Sequence, residues 1–174
     1  MGIQPVGQLR PIELLERGAI KARRGRILLA HLPDTIGDRQ AQMLRNKLNW
    51  PADDLELVRV KNSAGPGNVL MVEAESESVH EVFTSFGARD VPSGNVVGSV
   101  IDQVREYLAS SAPVGEYLAD QLMIPLALAG GGSNRAIKAT LHARTNAEII
   151  ARFLPVRLNF VEPTDGSVQI RIGS

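Results

Sequence analysis

Apolar and polar positions follow two rhythms along this chain, and the changes of rhythm mark out its elements. The run Ile27-Leu28-Leu29-Ala30, stopped by Pro33 and Asp34, predicts a buried strand over 26–32. Ile36, Gln40, Met43, Leu44 and Leu48 recur at helical spacing and predict an amphipathic helix over 36–48. Asp34 or Thr35 offers its cap, and Trp50-Pro51 closes it. Leu55, Leu57 and Arg59 alternate with Glu56, Val58 and Val60, the period of a strand. A Gly/Pro loop over 62–68 precedes two more strands, 69–75 and 79–86. Ser93 follows Pro92 as an N-cap, and Val96, Val97, Val100, Ile101, Val104, Tyr107 and Leu108 line one face of a helix over 95–110. The order is β-α-β-β-β-α, an α+β unit.

Beyond Pro113 a second pattern begins. Tyr117, Asp120 and Gln121 stand at i, i+3, i+4, so they share a polar helix face in a segment otherwise rich in Leu, Ile and Ala. Pro125 lacks an N–H, so the carbonyl of Gln121 loses its helical donor and a kink is expected. Gly130-Gly131-Gly132 reads as a helix C-cap and loop, although glycines also let a backbone approach a nucleotide. A strand over 136–141 ended by His142, a helix over 146–154, and strands over 157–162 and 168–172 follow. The last two are joined by the turn Pro163-Thr164-Asp165-Gly166. Residues 1–11 read as a remnant strand and connector, which completes β-α-β-α-β-β. The expected organisation is therefore a remnant strand at 1–11, one unit at 12–111 and a second at 112–174.

Composition narrows the possibilities. The chain has 174 residues, 44% hydrophobic and 22% charged, the range of an ordinary globular protein. Nineteen basic residues balance nineteen acidic ones, so any nucleic-acid contact must be a local patch. Lys21, Arg23, Arg24 and Arg26 form one such cluster; it reads as a solvated strand edge or as a phosphate contact. The absence of cysteine excludes disulfides and thiolate metal sites. His31 and His80 have no partners at metal-ligand spacing and read as structural. With no signal pattern and no apolar run of membrane length, the expectation is a soluble, cytoplasmic protein with no membrane partner.

His142 is the candidate for chemistry. Neutral imidazole is a good nucleophile near pH 7, while a lone histidine at a strand end also serves as a surface or capping residue. The residues around it carry a resemblance: Gly115-Glu116-Tyr117-Leu118-Ala119-Asp120-Gln121, Pro125-Leu126-Ala127-Leu128-Ala129-Gly130, His142 with Thr145-Asn146, and Arg152-Phe153-Leu154-Pro155-Val156. This pattern resembles the RNA 3′-terminal phosphate cyclases. Leu14 to Gly18 and Gly65-Pro66-Gly67-Asn68 extend the similarity upstream. The likeness covers the second half of a typical member, without the family's N-terminal glycine-rich and arginine-bearing motifs.

The resemblance implies an inserted β-α-β-β-β-α domain followed by the last of three core repeats, lacking its sister repeats. It implies that His142 attacks the α-phosphate of ATP and carries AMP to an RNA 3′-phosphate, which closes to a 2′,3′-cyclic phosphate. Tyr117, Leu118, Ala119, Asp120 and Gln121 are the implied nucleotide contacts. A divalent metal, Mg or Mn, is implied with ligands mostly outside this chain. Ala143 and Arg144 depart from the two apolar residues usual after the histidine, leaving Arg144 to face solvent or reach a phosphate. Alone, such a portion is expected to turn over poorly and to self-associate or seek an N-terminal half. The alternative is a non-enzymatic RNA- or protein-binding remnant.

Overall fold

Eleven consecutive residues with inward-pointing Gly25, Ile27 and Leu29 make β2, Ile20–Ala30, the spine of one sheet. The computed structural model describes residues 7–49 and 54–173, and these divide into two units. One is Ala19–Ala109; the other takes the chain up to Gly18 and again from Ser110 onward.

In the first unit, α1 (Asp34–Leu48) carries the chain from β2 to β3 (Leu55–Arg59), which pairs parallel to β2. β4 (Gly67–Ser76) and β5 (His80–Phe86) add antiparallel strands, giving the order β3-β2-β4-β5. Ile27, Leu70, Val72 and Phe83 share the inner face and are buried under α1 and α2 (Ser93–Ala109). Leu44 comes from α1 and Val97, Val100, Ile101 and Val104 from α2, each at most 1% exposed, so truncation of any of them would cost about 2–5 kcal/mol. Tyr107 packs on Phe83 with ring centroids 5.3 Å apart. β2 begins earlier than the apolar run indicated, because Arg23 and Arg24 pair across to Ala74 and Glu73 on β4. The basic cluster is partly neutralised there: Arg24 meets Glu75 at 3.5 Å, and Arg26 meets Glu56 at 3.1 Å and Glu73 at 3.7 Å. The expected closing role of Trp50-Pro51 lies outside the described residues.

The second unit has the order β1-β6-β8-β7, in which β1 is Glu13–Leu14, β6 is Gly132–Ala136, β7 is Arg157–Val161 and β8 is Val168–Gly173. α3 (Glu116–Leu128) and α4 (Leu141–Phe153) bury Ala119, Met123, Leu126, Ala143, Ala147 and Ile150 with Val168, Ile170 and Ile172 of β8. The element order is β-α-β-α-β-β. Two boundaries differ from expectation. The N-terminal strand is Glu13–Leu14, held parallel to β6; residues 7–11 form no strand, and 1–6 lie outside the described residues. The expected unit 12–111 therefore loses its first residues to the second unit, because β1 is stitched to β6 and Ser133 N–H donates to the Ile12 carbonyl.

The third difference lies next to the candidate histidine. The strand expected over 136–141 is instead Gly132–Ala136, inside what read as a glycine loop. Gly130 (φ 78°) ends α3: its N–H donates to the Ala127 carbonyl and that of Gly131 to Leu126, a Schellman closure. Gly132 (φ 136°) passes so close to β1 that an added Cβ would sit 2.7 Å from the Ile12 carbonyl and from Leu126. Arg135, its side chain 13% exposed, anchors the strand, donating to the carbonyls of Leu15 (2.8 Å) and Ser111 (3.0 Å) and to Asp165 (3.0 Å).

Candidate functional site

Thr140 decides where His142 stands. Its backbone is extended, and its hydroxyl accepts the N–H of Ala143 at 3.1 Å, capping α4. His142 thus lies in the first turn of a helix, not at the end of a strand as the apolar run suggested. Ala143 and Ala147 bury themselves against the core, which leaves His142 and Asn146, at i and i+4, on a face toward α3.

α3 meets them with Asp120. One carboxylate oxygen lies 3.1 Å from His142 Nδ1; the other accepts from Asn146 Nδ2 at 2.8 Å. The carboxylate is 23% exposed and the imidazole 80% exposed. An ionised carboxylate only accepts hydrogen bonds, so the contact suits the Nδ1–H tautomer of the neutral ring, in which the lone pair is on Nε2. One turn earlier, Tyr117 stands exposed, and the Glu116 carboxylate beside it pushes its phenol above the ordinary value, with burial adding to the shift. The phenol therefore stays neutral at physiological pH. Lys138 bonds Glu116 at 2.9 Å, fixing that end of the helix.

Of the five sequence-nominated contacts on α3, Asp120 meets His142, and Tyr117 and Gln121 are exposed on the same helix. Leu118 and Ala119 turn inward: Ala119 is fully buried and Leu118, partly buried, packs against the core. Arg144 has a side chain 43% exposed to solvent. It bonds Glu162 at 2.7 Å and lies over the Phe160 ring at 4.9 Å. Asn146 was visible only as part of a motif; its hold on Asp120 follows from the i, i+4 spacing once α4 is known to start before His142. His31 Nε2 lies 3.0 Å from the Ser63 carbonyl and His80 Nε2 lies 3.2 Å from Glu73, both partners within the unit Ala19–Ala109. Among the described residues no three His, Cys, Asp or Glu side chains gather as a metal site, and no helix is long and apolar enough to cross a membrane.

Comparison with known proteins gives a consistent result. Residues 15–109 match the family model described as RNA 3′-terminal phosphate cyclase, insert domain. Three relatives, each named RNA 3′-terminal phosphate cyclase, align over most of the chain. That of Koribacter versatilis is 45% identical over 160 residues, covering 92% of this chain and 45% of the relative. That of Pseudomonas fluorescens is 41% identical over 156 residues, covering 90% and 45%. That of Salmonella agona is 36% identical over 170 residues, covering 98% and 48%. The chain spans about half the length of the curated relatives it matches.

Proposed function

The chain belongs to the RNA 3′-terminal phosphate cyclase family, and from that premise we propose that it is the histidine-bearing portion of an ATP-dependent RNA 3′-phosphate cyclase. The observation that supports this most is the Asp120–His142 pair, a carboxylate oxygen 3.1 Å from Nδ1 of an exposed imidazole, a contact that suits the neutral tautomer with its lone pair on Nε2.

In this reading Nε2 attacks the α-phosphorus of ATP, and pyrophosphate leaves with the electrons of the broken P–O bond. As the ring gains positive character, Asp120 stabilises it through Nδ1–H. The AMP group then passes from His142 to an RNA 3′-phosphate oxygen, which restores the free imidazole. The vicinal 2′-hydroxyl closes on that phosphorus, losing its proton and expelling AMP, to leave a 2′,3′-cyclic phosphate. Tyr117 and Gln121 fit a nucleotide in chemistry: an exposed ring for a base and an exposed amide for base or ribose. Among the described residues no three His, Cys, Asp or Glu side chains gather into a ligand set, and a divalent metal carried on ATP phosphates takes only one or two protein carboxylates. We place its ligands, and the remaining phosphate-binding charge, outside this portion.

The test is transfer of label. The chain is incubated with α-labelled ATP and Mg or Mn, alone and with the N-terminal half of a relative. The expected product is AMP bound to protein through an acid-labile, hydroxylamine-labile bond. His142→Ala should abolish it, whereas His31→Ala and His80→Ala should not. Label persisting in His142→Ala would refute the assignment.

A further inference from the structure

The unit Ala19–Ala109 contains a cavity of about 440 Å³ that the histidine chemistry does not use. It lies where β2 and β5 end and α1 and α2 begin, and its volume is in the range of small-ligand sites. Leu32, Ile36, Val91 and Val96 supply apolar walls. Gln40 and Asn68 supply the polar lining, buried to 1% and 6% exposure. Their amides pair reciprocally, Gln40 Nε2 to Asn68 Oδ1 at 2.7 Å and Asn68 Nδ2 to Gln40 Oε1 at 3.0 Å.

Stability does not account for that pair. Two buried amides bonded chiefly to each other gain little over two apolar side chains of the same shape. What they add is unused valence. Each primary amide has two N–H groups and an oxygen with two lone pairs. Asn68 spends its second N–H on the Leu28 carbonyl, at 3.4 Å. Among the described residues Gln40 keeps one N–H and each oxygen keeps one lone pair, so a donor and acceptors stand side by side. That is the complement of a nucleobase edge, which an amide reads by paired hydrogen bonds. Among the described lining residues Arg89 alone is charged; it is exposed and makes no ion pair among the described residues, leaving its guanidinium for an anion.

We propose that this cavity binds one unpaired nucleotide, its base between the apolar walls and against the Gln40–Asn68 amides, its phosphate on Arg89. The nucleotide is either free in solution or one residue of a single-stranded RNA.

The test titrates the full chain, labelled with ¹⁵N, with nucleoside 5′-monophosphates, with the corresponding nucleosides, and with a short single-stranded oligoribonucleotide. The expected result is saturable binding tighter than ~1 mM that shifts the backbone amides of Gly67, Gly87 and Ala88. Removing the phosphate, or replacing Arg89 by alanine, should weaken binding about tenfold, the low end for a charge-assisted bond at an exposed site. Gly67→Leu projects a side chain into space now open beside the cavity and should block binding. Saturation by monophosphates identifies a free nucleotide as a ligand; saturation by the oligoribonucleotide alone identifies RNA. Arg89 is exposed, so its variant tests the site without disturbing the core. His142→Ala should bind like the wild type, which separates this proposal from the adenylylation reading. Absence of binding by every probe, or binding that neither variant weakens, would overturn it.

Discussion

Asp120→Asn is the most informative single change at the candidate centre. The substitution keeps the shape of the side chain but removes its charge, and it gives His142 Nδ1 an amide that can donate as well as accept. In the wild type, Asp120 holds Nδ1–H at 3.1 Å while Asn146 fixes its other oxygen at 2.8 Å. A hydrogen bond to a charged group is worth about 1.5–3 kcal/mol. His142 is 80% exposed, so water competes for Nδ1 and the lower figure applies, about a tenfold loss of AMP-transfer rate. Asn146→Ala removes only one neutral-donor bond to the carboxylate and should cost less, about threefold. The two losses should not add in the double variant, because Asn146 acts through Asp120. The rate is read as single-turnover labelling from ATP in the presence of the N-terminal half of a relative. A second readout needs no turnover: ¹⁵N shifts of the imidazole should report Nδ1–H in the wild type and more Nε2–H in Asp120→Asn. A variant that labels within twofold of wild type with an unchanged ring pattern would refute the orienting role.

Other consequences follow from the same geometry. Arg135→Met should cost ~3 kcal/mol in urea unfolding of the second unit, since it strands the carbonyls of Leu15 and Ser111; a loss below about 1 kcal/mol would contradict its anchoring role. The chain should self-associate through α4, where Leu141 and Phe153 at its two ends are 82% and 81% exposed. Sedimentation of Leu141→Glu/Phe153→Glu should move toward monomer, and a wild-type monomer with no apolar dye binding would count against this. Acid should weaken both units through single carboxylates. Bonds from Ser167, then Arg135, lower the pKa of Asp165, and Arg59 lowers that of Asp34. Their contribution is complete above the unfolded carboxylate range near pH 4 and is lost as pH falls through the lower folded values. Asp165→Asn and Asp34→Asn should each flatten the acid limb of the urea midpoint, measured from pH 6 to pH 2, and an unchanged limb would exclude that linkage.

The inserted unit was largely legible because its burial follows its hydrophobic pattern. Every residue nominated for the α2 face from Val96 to Tyr107 is buried, and β4 and β5 differ from their expected spans by a residue or two. The beginning of β2 was not legible, since cross-strand pairing to β4 carries Ala22, Arg23 and Arg24 through a stretch with no continuous apolar run. The cavity residues Gln40 and Asn68 were read as a helix-face position and a loop residue. Nothing in the linear pattern pairs two amides twenty-eight positions apart. Their contact arises only when α1 folds back over the start of β4.

The misplaced strand beside His142 shows which kind of information tertiary structure overrides. Residues 136–141 have β-branched and apolar character, whereas Gly132-Ser133-Asn134-Arg135 has almost none. Propensity favours the first segment, yet the second is the strand, because it is one of the two interior members of the sheet, bonded on one side to β1 and on the other to β8. A glycine at 132 is what lets it lie against β1 at that distance. Once the strand ends at Ala136, the segment to Thr140 becomes a connection, and Thr140 is free to cap α4. That shift moves His142 from a strand end, where its neighbours would alternate in orientation, onto a helix, where Asn146 shares its face. The helical placement supplies the second bond on Asp120, and with it a carboxylate held from both sides before any substrate arrives.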